Sequence, residues 1–394
     1  MRRVEVDERR DRLGRRHGLA PGCTHAGPLE AATAVVALHA TDPSTVHLSI
    51  AARTGAVDVA PAERALYEDR TLTRLLGMRR TMWVVPTTLV PIVQASSTAD
   101  VEARERKRLV QAIESSGLAT DGGAWLAEVE EQTLAALAAA GGGQAAQIGA
   151  LVPALREKVV LGGGSKWAVE QNLTTRVLLL LGARGAIVRG PTAGSWTTSR
   201  YSWMPATTWF GRPAETLPSA AEARAELARR WLGAFGPATV EDLRWWTGWT
   251  LGATRQALAG IDVAEVDIDG ATGFVLADDE DPETPTDPWV ALLPALDPTA
   301  MGWKERSWYV GDHTAASFDR SGNIGPTVWC DGRVVGAWAQ RKDGEVVFRL
   351  LEDIGTDAAT AVADAASRLQ AWLGPARVTP RFPTPLQKEL AAGS

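Results

Sequence analysis

The chain has 394 residues, 45% hydrophobic and 22% charged, a balance that excludes a disordered or fibrous protein and suffices for two to four compact units. Its 47 acidic residues outnumber 41 basic ones, for a net charge of -6; this argues against a uniformly basic surface but leaves a local basic groove open, because net charge averages over faces. No run of eighteen apolar residues occurs, and the densest, Val177–Leu181, is bracketed by Arg176 and Arg184, so a membrane span is excluded.

The N-terminus carries arginines and acids without an apolar signal segment, so a cytoplasmic protein is expected. Leu29–Ala40 reads as a buried helix, Thr45–Arg53 and Pro61–Asp69 as two more, and Thr81–Val85 as a strand closed by Pro86. A second pass of the same pattern follows. Gly123–Ala140 is a long helix ending in three glycines, Gln144–Glu157 and Ala168–Leu181 are further helices, and Ala186–Arg189 with Thr198–Trp203 form two strands around the 190–194 turn. In the third pass Ala220–Phe235, Thr239–Thr247 and Leu251–Leu258 have helix-turn-helix spacing, with a hairpin over Val263–Asp269 and Gly273–Ala277. The acidic stretch Asp278–Pro288 reads as a linker. Beyond it the pattern turns to strands at 289–293, 327–330, 334–340 and 345–351, and then to an amphipathic helix over Ala358–Leu373. The expected fold is α+β: tandem winged-helix units at 1–118, 119–215 and 216–288, and a β-rich unit at 289–394.

The stretch Leu38-His39-Ala40-Thr41-Asp42-Pro43 concentrates chemistry, with an imidazole, a hydroxyl and a carboxylate within four residues. A neutral imidazole can accept a proton from water, a hydroxyl can orient it, and Asp42 can offset positive charge on a sugar. The plain readings are a histidine satisfying a helix end and Asp42 as an N-cap. His47 reads as a surface or packing histidine. Gly162-Gly163-Gly164-Ser165-Lys166 lacks the phosphate-loop frame, Cys23 and Cys330 read as free thiols, and no metal-ligand cluster is present, so neither cofactor nor metal is expected.

With Arg79-Arg80-Thr81-Met82-Trp83-Val84-Val85-Pro86, Leu293-Pro294-Ala295-Leu296-Asp297-Pro298, Met301-Gly302-Trp303-Lys304-Glu305-Arg306 and Gly322-Asn323-Ile324-Gly325-Pro326-Thr327-Val328, the chain resembles the winged-helix DNA glycosylases of the AlkZ and YcaQ type. The resemblance covers most of the chain. It implies removal of alkylated purines from duplex DNA by a monomeric protein, with a glutamine, an apolar residue and a glutamine or aspartate at the positions of His39, Ala40 and Thr41. Both family glutamines are replaced here, so either His39 and Thr41, with Asp42, handle the water, or the chain binds DNA without cutting it. On such a fold Arg79, Arg80, Arg189, Arg200, Lys304 and Arg306 are candidate phosphate contacts, and Trp303 a base-stacking partner.

Overall fold

A computed structural model describes residues 1–161, 169–213 and 216–393. Strand β1 (Arg2–Arg3) precedes helix α1 (Val6–Arg16), whose acidic first turn and basic last turn suit the helix dipole. Helix α2 (Pro28–Ala34) stops short of the expected end at Ala40. Val35 and Val36 are β-branched, Val36 takes φ +64°, and the chain enters strand β2 (Leu38–His39), where Leu38 pairs with Val84 and His39 with Trp83. Pairing inside the core outweighs local helix preference, so His39 lies on a strand and not at a helix end.

Helices α3 (Pro43–Thr54) and α4 (Ala60–Tyr67) lead to β3 (Leu72–Leu76) and β4 (Met82–Pro86), giving an antiparallel sheet in the order β2-β4-β3. After α5 (Val90–Val93), α6 (Ala99–Ser115) and α7 (Gly122–Ala140) come β5 (Gly143–Gln144) and α8 (Ala145–Leu151). The helix expected from Ala168 begins later: β6 (Lys158–Leu161) pairs with β7 (Val169–Asn172), and α9 (Leu173–Ala183) follows. The glycine-rich stretch 162–166 lies outside the described residues. Strands β8 (Ile187–Thr192) and β9 (Tyr201–Pro205) complete a sheet β5-β9-β8, closed by α10 (Ala206–Phe210). Arg189 stands opposite Trp203, while Arg200 falls in the turn before β9.

Helices α11 (Ala220–Phe235), α12 (Val240–Thr247) and α13 (Leu251–Ala259) start on the side-chain caps Ser219, Thr239 and Thr250. They precede the hairpin β10 (Val263–Ile268) and β11 (Ala271–Leu276), to which β1 adds in parallel. The acidic stretch is not a free linker. Asp279 accepts hydrogen bonds from Arg12 and Arg16, Glu283 pairs with Arg15, and Asp11 accepts the Thr286 amide, so the arginines of α1 fasten it. The remainder comprises β12 (Val290–Leu293), α14 (Ser307–Val310), α15 (Thr314–Ser317), β13 (Thr327–Cys330), β14 (Arg333–Gln340), β15 (Val346–Leu350), α16 (Thr356–Leu373) and α17 (Pro385–Ala392). Its four-stranded antiparallel sheet follows chain order, with α16 packed on β12 and α17 on β14. The whole is an α+β fold.

One hydrophobic core gathers residues from Leu13 to Val334, skipping the segment between Val93 and Leu227, which builds its own core from Leu109 to Ile187. The tryptophans anchor the first: Trp83, Trp231, Trp246 and Trp329 are fully buried. At its centre Arg53 and Asp297 form an ion pair at 2.6 Å with neither side chain exposed. Ser49, the Thr299 hydroxyl and the Thr299 amide add further hydrogen bonds to the pair, and His17 bridges the Thr299 hydroxyl and the Ala234 carbonyl. Both carboxylate oxygens are thus partnered, while the Arg53 Nε stays buried without a hydrogen-bond partner. Among the described residues no helix is long and apolar enough to cross a membrane.

Candidate active site

Strand β2 turns His39 into the core, 4% exposed, with its ring 4.7 Å from that of Trp83. The Thr41 amide donates to His39 Nδ1 at 3.4 Å, a long bond that marks Nδ1 as acceptor and assigns the ring proton to Nε2. Burial, and then the charge of Arg79, push the imidazole pKa down to about 3. The ring is therefore neutral near pH 7, and its Nε2–H is a donor. In this tautomer the His39 ring presents a donor at Nε2, and its Nδ1 is taken by the Thr41 amide. The Thr41 hydroxyl is buried without a hydrogen-bond partner and supplies an open acceptor two residues along.

Asp42 does not fit the role of a charge-stabilising acid. Its Oδ1 accepts from the amide and hydroxyl of Ser44 at 3.0 and 2.7 Å, capping α3, and its Oδ2 accepts from the Arg381 amide at 2.9 Å. Both oxygens are committed to the scaffold. The motif's carbonyls are held too: Ala40 accepts from Arg74 and Thr41 from Arg381, each at 3.4 Å. Neither arginine stood out in sequence, because each reaches the motif only through tertiary folding.

Beside this motif runs a row of rings and cations. The Arg79 guanidinium lies 5.9 Å from the Trp83 ring and 4.1 Å from that of Trp245, and Arg306 lies 4.6 Å from Trp245 and 4.5 Å from Phe318. Burial, and then Arg306, lower the Arg79 pKa to about 10, which leaves it charged. Its Nε and Nη2 are buried and have no hydrogen-bond partner. Arg79 and Arg80 adopt φ of +54° and +58°, a conformation costing about 1 kcal/mol per non-glycine residue. Gly248 makes room: a Cβ there would stand 3.3 Å from the Arg79 side chain.

The other expected contacts are dispersed. Arg80 is exposed and pairs with Glu105 at 2.8 Å; Lys304 is exposed, 3.6 Å from Glu241. Trp303 is corrected from surface to core: it is 3% exposed and its indole N–H donates to the Phe235 carbonyl at 3.0 Å, so it cannot stack on a base. Trp245 is the ring that Arg306 meets instead. Arg189 lies inward, 5.4 Å from the Tyr201 ring and 4.9 Å from that of Trp203, whereas Arg200 is exposed. His47 is buried, with Nε2 2.6 Å from Glu63 and its ring 5.1 Å from Trp196. Among the described residues no group of three or more metal-ligating side chains converges.

The geometry thus sets buried His39 and half-buried Thr41 beside a cationic, aromatic row in an α+β fold. The family model described as DNA glycosylase AlkZ-like matches residues 32–372, and the chain belongs to that family. The interstrand DNA cross-link repair glycosylase of Streptomyces sahachiroi is 32% identical over 173 residues, a stretch covering 41% of this chain and 45% of that relative. The solved structure of Streptomyces sahachiroi DNA glycosylase AlkZ has the same fold, with a TM-score of 0.72 at 22% identity over 96% of this chain and 99% of that one.

Proposed function

We propose that the protein is a monofunctional DNA glycosylase that hydrolyses the N-glycosidic bond of bulky N-alkylated purines, N7-alkylguanine above all, in duplex DNA and leaves an abasic site. The observation that carries this reading is the His39–Thr41 pair inside a chain whose family match spans residues 32–372. His39 Nε2–H offers a donor and the Thr41 hydroxyl an acceptor, the two functions needed to orient one water against the sugar carbon. An N7-alkylated guanine already carries positive charge and leaves without protonation. That suits a site whose adjoining carboxylate in the chain, Asp42, is committed elsewhere. The motif contains no lysine, which favours hydrolysis over Schiff-base chemistry.

The fold is read as three winged-helix units, 1–118, 119–215 and 216–288, with a β-rich unit at 289–394, on a curved monomeric scaffold acting on DNA in the cytoplasm. The row Arg79, Trp245 and Arg306, with exposed Arg80, Arg200 and Lys304, supplies cations for phosphates. The cross-link repair name of the Streptomyces sahachiroi relative extends the substrate class to cross-linked duplexes, and self-resistance to a DNA-alkylating natural product is the matching biological role.

A second reading, a DNA-binding regulator without catalysis, is favoured by one observation: the carboxylate next to Thr41, that of Asp42, has both oxygens bonded within the scaffold. Incubation with duplex DNA containing N7-methylguanine, followed by alkaline strand scission, separates the two. Abasic sites should form with the wild type and fall by about 10² to 10⁴ in His39→Ala. Tight DNA binding without base release would establish the regulator.

A further inference from the structure

Strand β3 runs against β8 where the first core meets the second, and a cavity of about 150 Å³ opens there. Arg74 and Arg189 both line it. Their guanidinium groups lie 4.7 and 5.4 Å from one ring, that of Tyr201, and Arg74 is only 3% exposed. Among the described residues neither makes an ion pair. Burial, and then Arg74, lower the Arg189 pKa to about 10, so Arg189 stays charged at neutral pH. The Arg74 Nε and the Tyr201 hydroxyl are buried without hydrogen-bond partners. Buried charges in folded proteins are ordinarily paired, and buried hydroxyls ordinarily bonded. Two cations that line one cavity without an ion pair among the described residues, and that meet at the ring of a phenol whose hydroxyl is buried and unbonded, make an anion site that the chain itself leaves unfilled.

We propose that Arg74, Arg189 and the Tyr201 hydroxyl clamp one phosphodiester of the DNA strand and thereby set its register against His39 and Thr41. Two guanidinium groups match phosphate oxygens in number and geometry, and a phenol adds a neutral donor. The link to the reacting centre is direct, because Arg74 Nη1 also donates to the carbonyl of Ala40, between the two motif residues. A phosphate drawn onto Arg74 therefore fixes both the strand and the backbone that presents the water. This proposal rests on the glycosylase reading for its choice of DNA as the anion.

The test uses the full chain and duplexes in which a neutral methylphosphonate replaces one linkage at a time along the damaged strand, with binding followed by fluorescence anisotropy. In the wild type one linkage position should cost about tenfold in Kd. In Arg189→Gln and in Tyr201→Phe that same substitution should cost little more, and Arg189→Gln should reduce the salt slope of log Kd by about one. Tyr201→Phe removes a buried hydroxyl without a partner, so its Tm should equal or exceed that of the wild type, whereas a structural role for the hydroxyl would lower it. Arg74→Lys, which keeps the charge, should retain part of the linkage dependence. Unchanged salt slope and methylphosphonate profile in folded variants that still release base would overturn the clamp and leave the glycosylase reading standing. Loss of all DNA binding by the wild type would overturn both.

Discussion

Asp42 caps α3 with one carboxylate oxygen and, with the other, accepts the backbone amide of Arg381, 339 residues further along the chain. The tail is thereby fastened to the residue next to the candidate site. Asp42→Asn keeps a cap acceptor but turns an amide group towards one of the two donors. Urea unfolding should show a loss of about 1 to 3 kcal/mol. Base release by the folded variant should fall less than about tenfold, against the 10² to 10³ expected of a group that stabilises the transition state.

Because His39 is held neutral, base release should not follow its ordinary titration. Its folded pKa lies at about 3, so the rate between pH 5 and 8 should be flat. Single-turnover release of N7-methylguanine across that range is the measurement. A limb centred near 6.5 that disappears in His39→Gln would show that the ring titrates and acts as a base. Restoring the family's amide at this position in His39→Gln should retain much of the activity that His39→Ala loses.

Stability should drop on acidification through the same groups. His17 and His39 both have folded pKa values of about 3 against 6.5 in the unfolded chain; burial is the first cause in each, with Arg53 next at His17 and Arg79 at His39. Between those values the unfolded chain binds more protons, so the stabilisation is complete above pH 6.5 and is lost as pH falls towards 3. From pH 7.5 to 5 the loss should reach about 2 kcal/mol per histidine. Urea unfolding at the two pH values should show it, with about half the effect remaining in His39→Gln.

Trp245 supports the candidate phosphate row, since Arg79 and Arg306 both lie on its ring. Trp245→Ala should release both guanidinium groups and raise Kd for duplex DNA about tenfold at moderate salt. Equal affinity in the variant, by anisotropy, would remove this row from the DNA-binding surface.

The Arg53–Asp297 pair predicts a different signature. Asp297→Ala leaves a fully buried guanidinium without its anion and should cost about 3 to 5 kcal/mol. The double replacement Arg53→Met with Asp297→Leu should recover a large part of that loss, as read from thermal unfolding.

Local chemistry made much of the fold legible. The capping boxes Ser219/Glu222 and Thr239/Asp242 mark α11 and α12, and Asp331-Gly332 and Asp343-Gly344 mark turns between the C-terminal strands. Strand β2 was illegible, because its two residues are strand only through pairing with Trp83 and Val84. The motifs that carry the family resemblance are largely scaffold. Asp297 holds Arg53, Trp303 packs beneath Phe235, and Gly325 sits where a Cβ would meet Thr384 at 2.8 Å. The residues that grip the His39 segment, Arg74 and Arg381, carry no local mark, since they come from β3 and from the irregular stretch before α17. Nothing local in the sequence separates half-buried Trp245 from buried Trp303; tertiary folding alone does so.

The Asp42–Arg381 contact also orders events during synthesis. At about 5 to 20 residues per second, roughly twenty to seventy seconds separate the two residues as they leave the ribosome. Through that interval the nascent chain carries His39 and Thr41 with the tail clasp unmade. A stalled or prematurely released chain that lacks Arg381 carries His39 and Thr41 without the fastening made to their neighbour Asp42.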